Sequence, residues 1–330
     1  MAGNKLSQDR IHKGGIIFVW TVVLSLLVVA CGETQTQETF TIGVVNHVPV
    51  LTPAFEGFKA GMAEFGYVEG KNVTYIYNGV VALQAVNAEI ESLLTQDVDM
   101  LLTLGNVPAT VAKQAVEGTD MPIVFGPIMY PVEEGVVESL RHPGGNLTGV
   151  TNGQGTAKAL EWLVTIAPGA KKVYLPYNPD DKVSIAVLAE LEKVPSQLGI
   201  ELVLGEVHSV EEAVAAIESL PEDIDAIYRI PAPTLDPRNN ELNQAAMKRG
   251  LPMGASLPLS ESMLLTYAAD FFEMGKQMAR LADQIIKGTK PADLPVETAE
   301  FFFTINLQTA EAIGLYIPDE ILVQADTIIR

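Results

Sequence analysis

The sequence predicts an α/β protein made of two doubly wound lobes, each built on a parallel sheet. From Phe40 onward, strand-like and helix-like segments alternate along the chain, which is the pattern of parallel βαβ units. Apolar runs such as MLLTL suit strands that are covered by helices on both faces. The same order of parts occurs twice, which favours two lobes over the alternative of one large doubly wound sheet.

The first copy of the repeat covers the residues that follow Phe40. Its strands are expected at 40–45, 73–77, 100–104 and 122–125, and its helices at about 55–65, 82–94 and 108–116. Phe55, Phe58 and Met62 recur at helical spacing, and Gly66 is placed to end that first helix. The pair Asp97 and Asp99 precedes the third strand, where a structural role is expected because open α/β sheets bind ligands at the opposite strand ends.

The second copy repeats this order after Lys172. Its strands are expected at 173–177, 200–204 and 226–230 and after Pro252, and its helices at 183–198, 210–220 and 238–249. Pro195 should disturb the last turn of its first helix, and Gly199 should end that helix. Asp223 and Asp225 precede a strand as Asp97 and Asp99 do in the first copy, so the two halves share landmarks as well as order.

The tail is expected to cross back between the lobes and form a hinge of several crossovers. A helix is expected at 271–287, a strand at 301–305 and a short helix at 309–313. The predicted N-terminal lobe therefore comprises residues 40–150 with about 268–295. The predicted C-terminal lobe comprises 151–267 with about 296–330.

The first 30 residues differ in kind and predict an export signal. Basic residues open the chain, and an apolar run from Ile16 to Ala30 ends at Cys31, the only cysteine. The sequence VVACG resembles the bacterial lipobox, in which the cysteine thiol accepts a lipid, and residues 31–39 are expected to form a polar tether. An uncleaved N-terminal anchor is the alternative. Either way the body is expected outside the cytoplasm, anchored to the cell membrane.

Composition excludes several function classes. The formal net charge of −20 disfavours binding to nucleic acid. A single cysteine allows no disulfide within the chain. No phosphate-binding loop, zinc-protease motif or nucleophile elbow occurs, and the four histidines lack metal-ligand spacing. The sequence therefore predicts neither an enzyme nor a protein with a cofactor or a metal, and a monomer is expected.

Ligand binding is expected at the loops that follow the carboxyl ends of the strands, where two lobes would form a cleft. These loops are 46–52, 105–108 and 126–131 in the first half, and 177–181, 229–233 and 254–257 in the second. The helix starts near Pro53 and Val107 offer free backbone N–H groups that suit an anion. The candidate binding residues in these loops include Asn46, His47, Asn106, Tyr130, Asn178 and Arg229.

Several segments resemble one known family. They include GYVEGKNV, GNVPAT, HPGGNLTGVT, YNPDD, KPADLPVE and INLQTAEAIGLYIP, and they run along nearly all of residues 40–330. The chain resembles the tryptophan-transporter-type group of ABC transporter substrate-binding lipoproteins. That resemblance implies a type I periplasmic-binding fold that closes on a small solute and hands it to a membrane permease. It also adds Thr151, Asn152 and Asp270 as cleft or hinge candidates.

Three positions depart from the pattern of that family. Where the family usually has acidic residues in its binding loops, this chain has Tyr130, Ala232 and Leu257, and all three are candidate binding positions. Such acids are natural partners of an ammonium group, so their loss favours a neutral or anionic solute without a free amine. Arg229 is then a candidate carboxylate partner and Tyr130 a packing surface.

Two other functions remain compatible with this fold class. A ligand sensor could present its solute to a membrane receptor instead of a permease. A transcriptional regulator of similar fold would need a basic DNA-binding head, whereas this chain begins with an export signal.

Overall fold

The structure is a computed structural model that describes Met1 and residues 39–330, apart from Gln154, Pro233 and 258–261. The chain divides after Thr39, and the description below concerns the unit Phe40–Arg330. The predicted signal and the lipidation position Cys31 lie outside the described residues. Among the described residues, no helix has the length and apolar character needed to span a membrane.

Strands and helices alternate through this unit as the sequence predicts. In chain order the elements are β1 (Phe40–Asn46), α1 (Thr52–Glu64), β2 (Val73–Ile76), α2 (Val86–Leu94), β3 (Met100–Leu104), α3 (Asn106–Ala115), β4 (Ile123–Ile128), β5 (Leu147–Thr151), α4 (Thr156–Ile166), β6 (Lys172–Tyr177), α5 (Lys182–Leu191), α6 (Val194–Leu198), β7 (Glu201–Glu206), α7 (Val210–Glu218), β8 (Ala226–Arg229), α8 (Asn239–Lys248), β9 (Met253–Ala255), β10 (Leu265–Ala269), α9 (Phe271–Ile286), β11 (Glu297–Thr298), β12 (Phe301–Asn306), α10 (Leu307–Ala312), α11 (Asp319–Leu322) and β13 (Thr327–Ile329).

The strands form two sheets. The first sheet has six strands, all parallel, in the order β11-β5-β4-β3-β1-β2. The second sheet has seven strands in the order β13-β12-β10-β9-β8-β6-β7, with one antiparallel pair, β10 and β12. Helices α1 and α9 bury apolar side chains on one face of the first sheet, and α2 and α3 cover its other face. Helices α4 and α5 lie against one face of the second sheet, and α7 and α8 against the other. The predicted class, two doubly wound α/β lobes, is confirmed.

Three details differ from the sequence-based prediction. Strands β5 and β10 and helix α4 were not predicted, and β10 pairs with β12 in the antiparallel direction. The helix expected at 183–198 is two helices, since Pro195 lies at the start of α6. Proline cannot donate an N–H inside a helix but is accepted in a first turn, so the chain restarts there.

The acidic residues before the strands have the expected structural role. The Oδ2 atom of Asp99 accepts the backbone N–H of Thr41 at 2.7 Å, at the start of β1. The Oδ2 atom of Asp225 accepts the N–H groups of Lys171 and Lys172 at 2.7 and 2.9 Å, at the start of β6. Each lobe thus uses an aspartate before its third strand to hold the start of its first strand.

The chain passes between the two sheets at three places. The first crossover joins β5 to α4, the second joins β10 to α9, and the third joins β11 to β12. At the second crossover, Asp270 caps α9: its Oδ1 atom accepts the N–H groups of Phe272 and Glu273 at 2.7 and 3.1 Å.

Helices α1 and α9 touch through glycine. A Cβ atom on Gly57 would lie 1.8 Å from the Phe272 carbonyl oxygen, and one on Gly275 would lie 2.1 Å from the Ala54 carbonyl oxygen. Both distances are far below van der Waals contact, so these positions accept only glycine at the observed separation of the helices. The contact brings the chain back from the second sheet to the first.

The substitution Gly275→Ala tests this contact. The added methyl group must push α9 away from α1, so we expect the free energy of unfolding to fall by about 1–3 kcal/mol despite the better helix propensity of alanine. Urea unfolding followed by circular dichroism measures the change. Ala63→Ser also adds one heavy atom, but on the exposed side of α1, and should have little effect. An unchanged midpoint for Gly275→Ala would contradict the close contact.

Candidate ligand-binding site

A cavity of about 840 Å³ lies between the segment that follows β4 and helix α5. It is therefore walled by elements of both sheets, at the strand carboxyl ends. Its lining residues are Asn106, Thr110, Met129, Tyr130, Pro131, Val132, Glu133, Glu134, Leu140, Thr151 and Gly153 on one side, and Lys182, Val183, Ala186, Ala189 and Glu190 on the other. The volume suits a small organic molecule.

The wall of the cavity carries more negative than positive charge. Three carboxylates line it, those of Glu133, Glu134 and Glu190, against the single ammonium group of Lys182. None of the four forms an ion pair with another residue in the described part of the chain. The cavity is thus apolar over much of its surface, and the charges of its wall sum to a negative value.

A hydrogen bond across the cavity joins the two lobes. The Tyr130 hydroxyl, on the segment after β4, donates to the Oε2 atom of Glu190 on α5 at 2.9 Å. The ring of Tyr130 packs against the apolar core of the second lobe. Burial, followed by the neighbouring Glu190 carboxylate, raises the pKa of Tyr130, so its hydroxyl keeps the proton that it donates.

Glu134 belongs to the segment after β4, and its carboxyl lies beside the Asn106 side chain at the start of α3. Burial raises the pKa of its carboxyl, while a hydrogen bond with the Asn106 side chain lowers it. The Oδ1 atom of Asn106 also accepts the backbone N–H of Val107 at 2.9 Å. The start of α3 was predicted to offer free backbone N–H groups to an anion. The Val107 N–H is instead bonded to the Asn106 side chain, and the Glu134 carboxylate lies beside Asn106.

Three of the predicted ligand-binding residues line this cavity, namely Asn106, Tyr130 and Thr151. Thr151 ends β5 and is buried, with its hydroxyl donating to the Met129 carbonyl oxygen at 3.1 Å and accepting the Gly153 N–H at 3.2 Å. It thereby holds the segment after β4 to the first crossover. Its neighbour Asn152 does not line the cavity, although its Oδ1 atom is buried and has no hydrogen-bond partner among the described residues.

Asn46 and Asn178 occupy equivalent positions in the two lobes. Asn46 is the last residue of β1, and Asn178 comes directly after β6. The Oδ1 atom of each accepts the N–H two residues on, from Val48 at 2.8 Å and from Asp180 at 2.9 Å. Both side chains shape turns and neither lines the cavity. His47 is also outside the lining. Burial lowers its pKa, and its Nδ1 atom has no hydrogen-bond partner in the described part of the chain.

The structure places Arg229 away from the cavity. Its side chain is fully buried, with one terminal nitrogen 2.7 Å from Asp236 Oδ1, Nε 3.2 Å from Asn239 Oδ1, and a further bond to the Ile230 carbonyl oxygen. A buried guanidinium needs such a counter-charge, and Asp236 supplies it inside the second lobe.

The remaining predicted positions also lie outside the lining. Ala232 is buried in the apolar core beside α7 and α8, and Leu257 is half-buried after β9. Asp270 is exposed and caps α9. The structure therefore does not gather these residues with Tyr130 around one cavity.

The cavity contains acidic residues that the sequence analysis did not consider. Tyr130, Ala232 and Leu257 stand where the family usually has acids, but Glu133, Glu134 and Glu190 line the cavity at other positions. Sequence reasoning missed Glu190 because it searched the loops and not helix α5, and it missed Glu133 and Glu134 because they lie just beyond the loop 126–131. The helical spacing of Val183, Ala186 and Glu190 was the available signal for a face that lines a site.

Two similar lobes with a cavity between them are typical of proteins that bind a small solute by closing around it. Comparison with known families agrees with this class. The family described as "ABC transporter substrate binding protein" matches residues 41–329. The chain belongs to this family, whose members are extracytoplasmic solute-binding proteins, and the resemblance found in the sequence is confirmed.

Named relatives bind aromatic amino acids. The chain is 28% identical over 291 residues to a tyrosine-binding protein of Clostridioides difficile, with 86% of this chain and 83% of that protein covered. The crystal structure of an ABC domain from Streptococcus pneumoniae in complex with L-Trp shares 22% identity, with a TM-score of 0.74 and coverage of 88% of this chain and all of that one. A ligand-free, open substrate-binding protein with adhesive properties from Clostridium difficile shares 20% identity, with a TM-score of 0.78 and coverage of 89% and 99%. The two solved structures establish the likeness of fold.

The substitution Tyr130→Phe tests the hydrogen bond between the lobes. Removing the hydroxyl should favour local opening by about 1 kcal/mol, so amide exchange in residues 129–134 should become roughly fivefold faster. Hydrogen–deuterium exchange with mass spectrometry measures this rate. Tyr177→Phe is the matched control, because the Tyr177 hydroxyl donates to Glu206 at 2.8 Å within the second lobe. Equal exchange in both variants would contradict a link through Tyr130.

Proposed function

We propose that this protein captures a small solute outside the cytoplasm and delivers it to an ABC permease for uptake. The observation that carries the proposal is the cavity of about 840 Å³, walled by both lobes in a chain that matches the substrate-binding family over residues 41–329. A ligand that contacts both walls favours the closed arrangement of the lobes, and this arrangement is what a permease can recognise.

Several features support binding without catalysis. The polar groups of the cavity are carboxylates, hydroxyls, an amide and one ammonium group, with no cysteine or histidine among the lining residues. The named relatives bind tyrosine and tryptophan, which are molecules of a size that this cavity accommodates. The proposed role of the cavity is therefore recognition and release.

The N-terminal segment supports a membrane-anchored location. Residues 1–30 read as an export signal and Cys31 as the acceptor of a lipid, so the mature chain would start at Cys31 and be tethered through residues 31–39. The acidic body would then stand outside the membrane, within reach of the permease.

The first prediction is that a small molecule leaves with the protein when it is purified. Native mass spectrometry of the purified chain should show a mass excess that disappears on denaturation, and mass spectrometry of the released fraction should identify one organic compound. A ligand that binds only the folded state also raises the melting temperature. Absence of any bound compound, together with no shift from a broad panel of solutes, would contradict the proposed function.

The second prediction concerns Cys31. Its substitution by serine removes the thiol that would accept the lipid, so we expect the protein to move from the membrane fraction to the soluble fraction of a bacterial host. Thr36→Ala, in the predicted tether, should leave the protein with the membrane. Retention of Cys31→Ser in the membrane would instead support an uncleaved N-terminal anchor.

A further inference from the structure

The charged residues that line the cavity indicate which class of solute it would bind. We propose that the solute is a small organic cation without a carboxylate, such as an amine on an apolar or aromatic skeleton, held between Glu134 of one lobe and Glu190 of the other. The inference rests on the proposed function and names the substrate class of the same cavity.

The first step is the excess of carboxylates in the wall. Glu133, Glu134 and Glu190 line the cavity, and in the described part of the chain none of them has a cationic partner. Closing a cavity removes water from such groups, and a carboxylate that loses water requires a counter-charge. A cationic ligand supplies that charge at the moment of closure.

The second step is that Lys182 carries the single cationic side chain available to a ligand carboxylate among the described lining residues, against three carboxylates. Arg229, the strongest candidate in the sequence, is fully buried and paired with Asp236. At the start of α3, the Val107 N–H is bonded to Asn106, and the Glu134 carboxylate lies beside Asn106 and would repel a second anion. Lys182, in the first turn of α5, is exposed as Glu133 and Glu134 are, so its one positive charge is outweighed by the three carboxylates of the wall.

The third step is that the carboxylates stand on opposite walls. Glu133 and Glu134 belong to the segment after β4 of the first lobe, whereas Glu190 belongs to α5 of the second. Like charges on facing walls oppose closure, and a cation between them reverses that effect, so binding and closure are coupled through charge. The Tyr130 hydroxyl holds Glu190 at this boundary.

The fourth step is the apolar surface that surrounds the charges. It is formed by Met129, Tyr130, Pro131, Val132, Leu140, Val183 and Ala186. Such a wall suits the carbon skeleton of an amine and does not suit a strongly hydrated inorganic cation, which prefers a cage of oxygen ligands.

Matched sets of ligands distinguish the effect of a ligand's ammonium group on affinity from that of its carboxylate. Isothermal titration calorimetry of the full-length protein would compare tyrosine, tyramine and 4-hydroxyphenylpropionate, and then the corresponding indole and four-carbon aliphatic sets. In at least one set we expect the amine to bind about tenfold or more tightly than its amino acid, because the amino acid brings a carboxylate into a negative cavity. The carboxylic acid should not bind, and added salt should weaken binding of the amine.

The variant Glu190→Gln tests the named carboxylate. Glutamine keeps the shape and the acceptor for Tyr130 but removes the charge, so amine affinity should fall about tenfold or more while the melting temperature stays near that of the natural chain. Glu192→Gln makes the same change two residues on, outside the lining, and should leave affinity unchanged.

The possible outcomes distinguish this inference from the proposed function. Tightest binding of an amino acid or of a carboxylic acid would overturn the inference and leave solute capture intact. Failure of the amines in all three sets would also overturn it, whatever compound leaves with the purified protein. Equal effects of Glu190→Gln and Glu192→Gln would remove Glu190 from the site.

Discussion

The contact of helix α1 with helix α9 is the constraint on which the arrangement of the lobes depends. Its glycines, Gly57 and Gly275, let two backbones approach to a distance that no side chain would permit. Because α9 follows a strand of the second sheet, this contact returns the chain to the first lobe, and β11 then joins the edge of the first sheet beside β5. The lobes are consequently joined by several crossovers, and the cavity lies at the strand carboxyl ends where those lobes face each other.

Many polar residues that look functional in the sequence serve the repeat instead. Asp99 and Asp225 hold the starts of the first strands, and Asn46 and Asn178 shape the turns after those strands. Both kinds of contact recur in the two lobes because both lobes repeat the same order of strands and turns. The residues that line the cavity lie elsewhere, mainly in the segment after β4 and on α5.

In the proposed mode of binding, the charges of the cavity couple ligand binding to closure of the two lobes. Carboxylates on both walls make the empty cavity unfavourable to close, whereas the Tyr130–Glu190 hydrogen bond favours the closed arrangement. A ligand of the right charge shifts that balance, so affinity and closure are two aspects of one interaction. The general role follows from this cavity and the family match, whereas the choice of solute depends on a few side chains such as Glu134 and Glu190.

The sequence by itself determined the lobes, because alternating periodicities recur in every βα unit and the strand-start acids Asp99 and Asp225 mark the same place in each lobe. It did not reveal β5 or β10, since such short runs carry too little periodicity to tell a strand from a loop. The site required the tertiary structure. Arg229 and Glu190 are both charged residues near strand or helix ends, but only packing decides that Arg229 is buried against Asp236 while Glu190 faces the opposite lobe. A cavity is a relation between distant segments, and no local pattern in the chain encodes it.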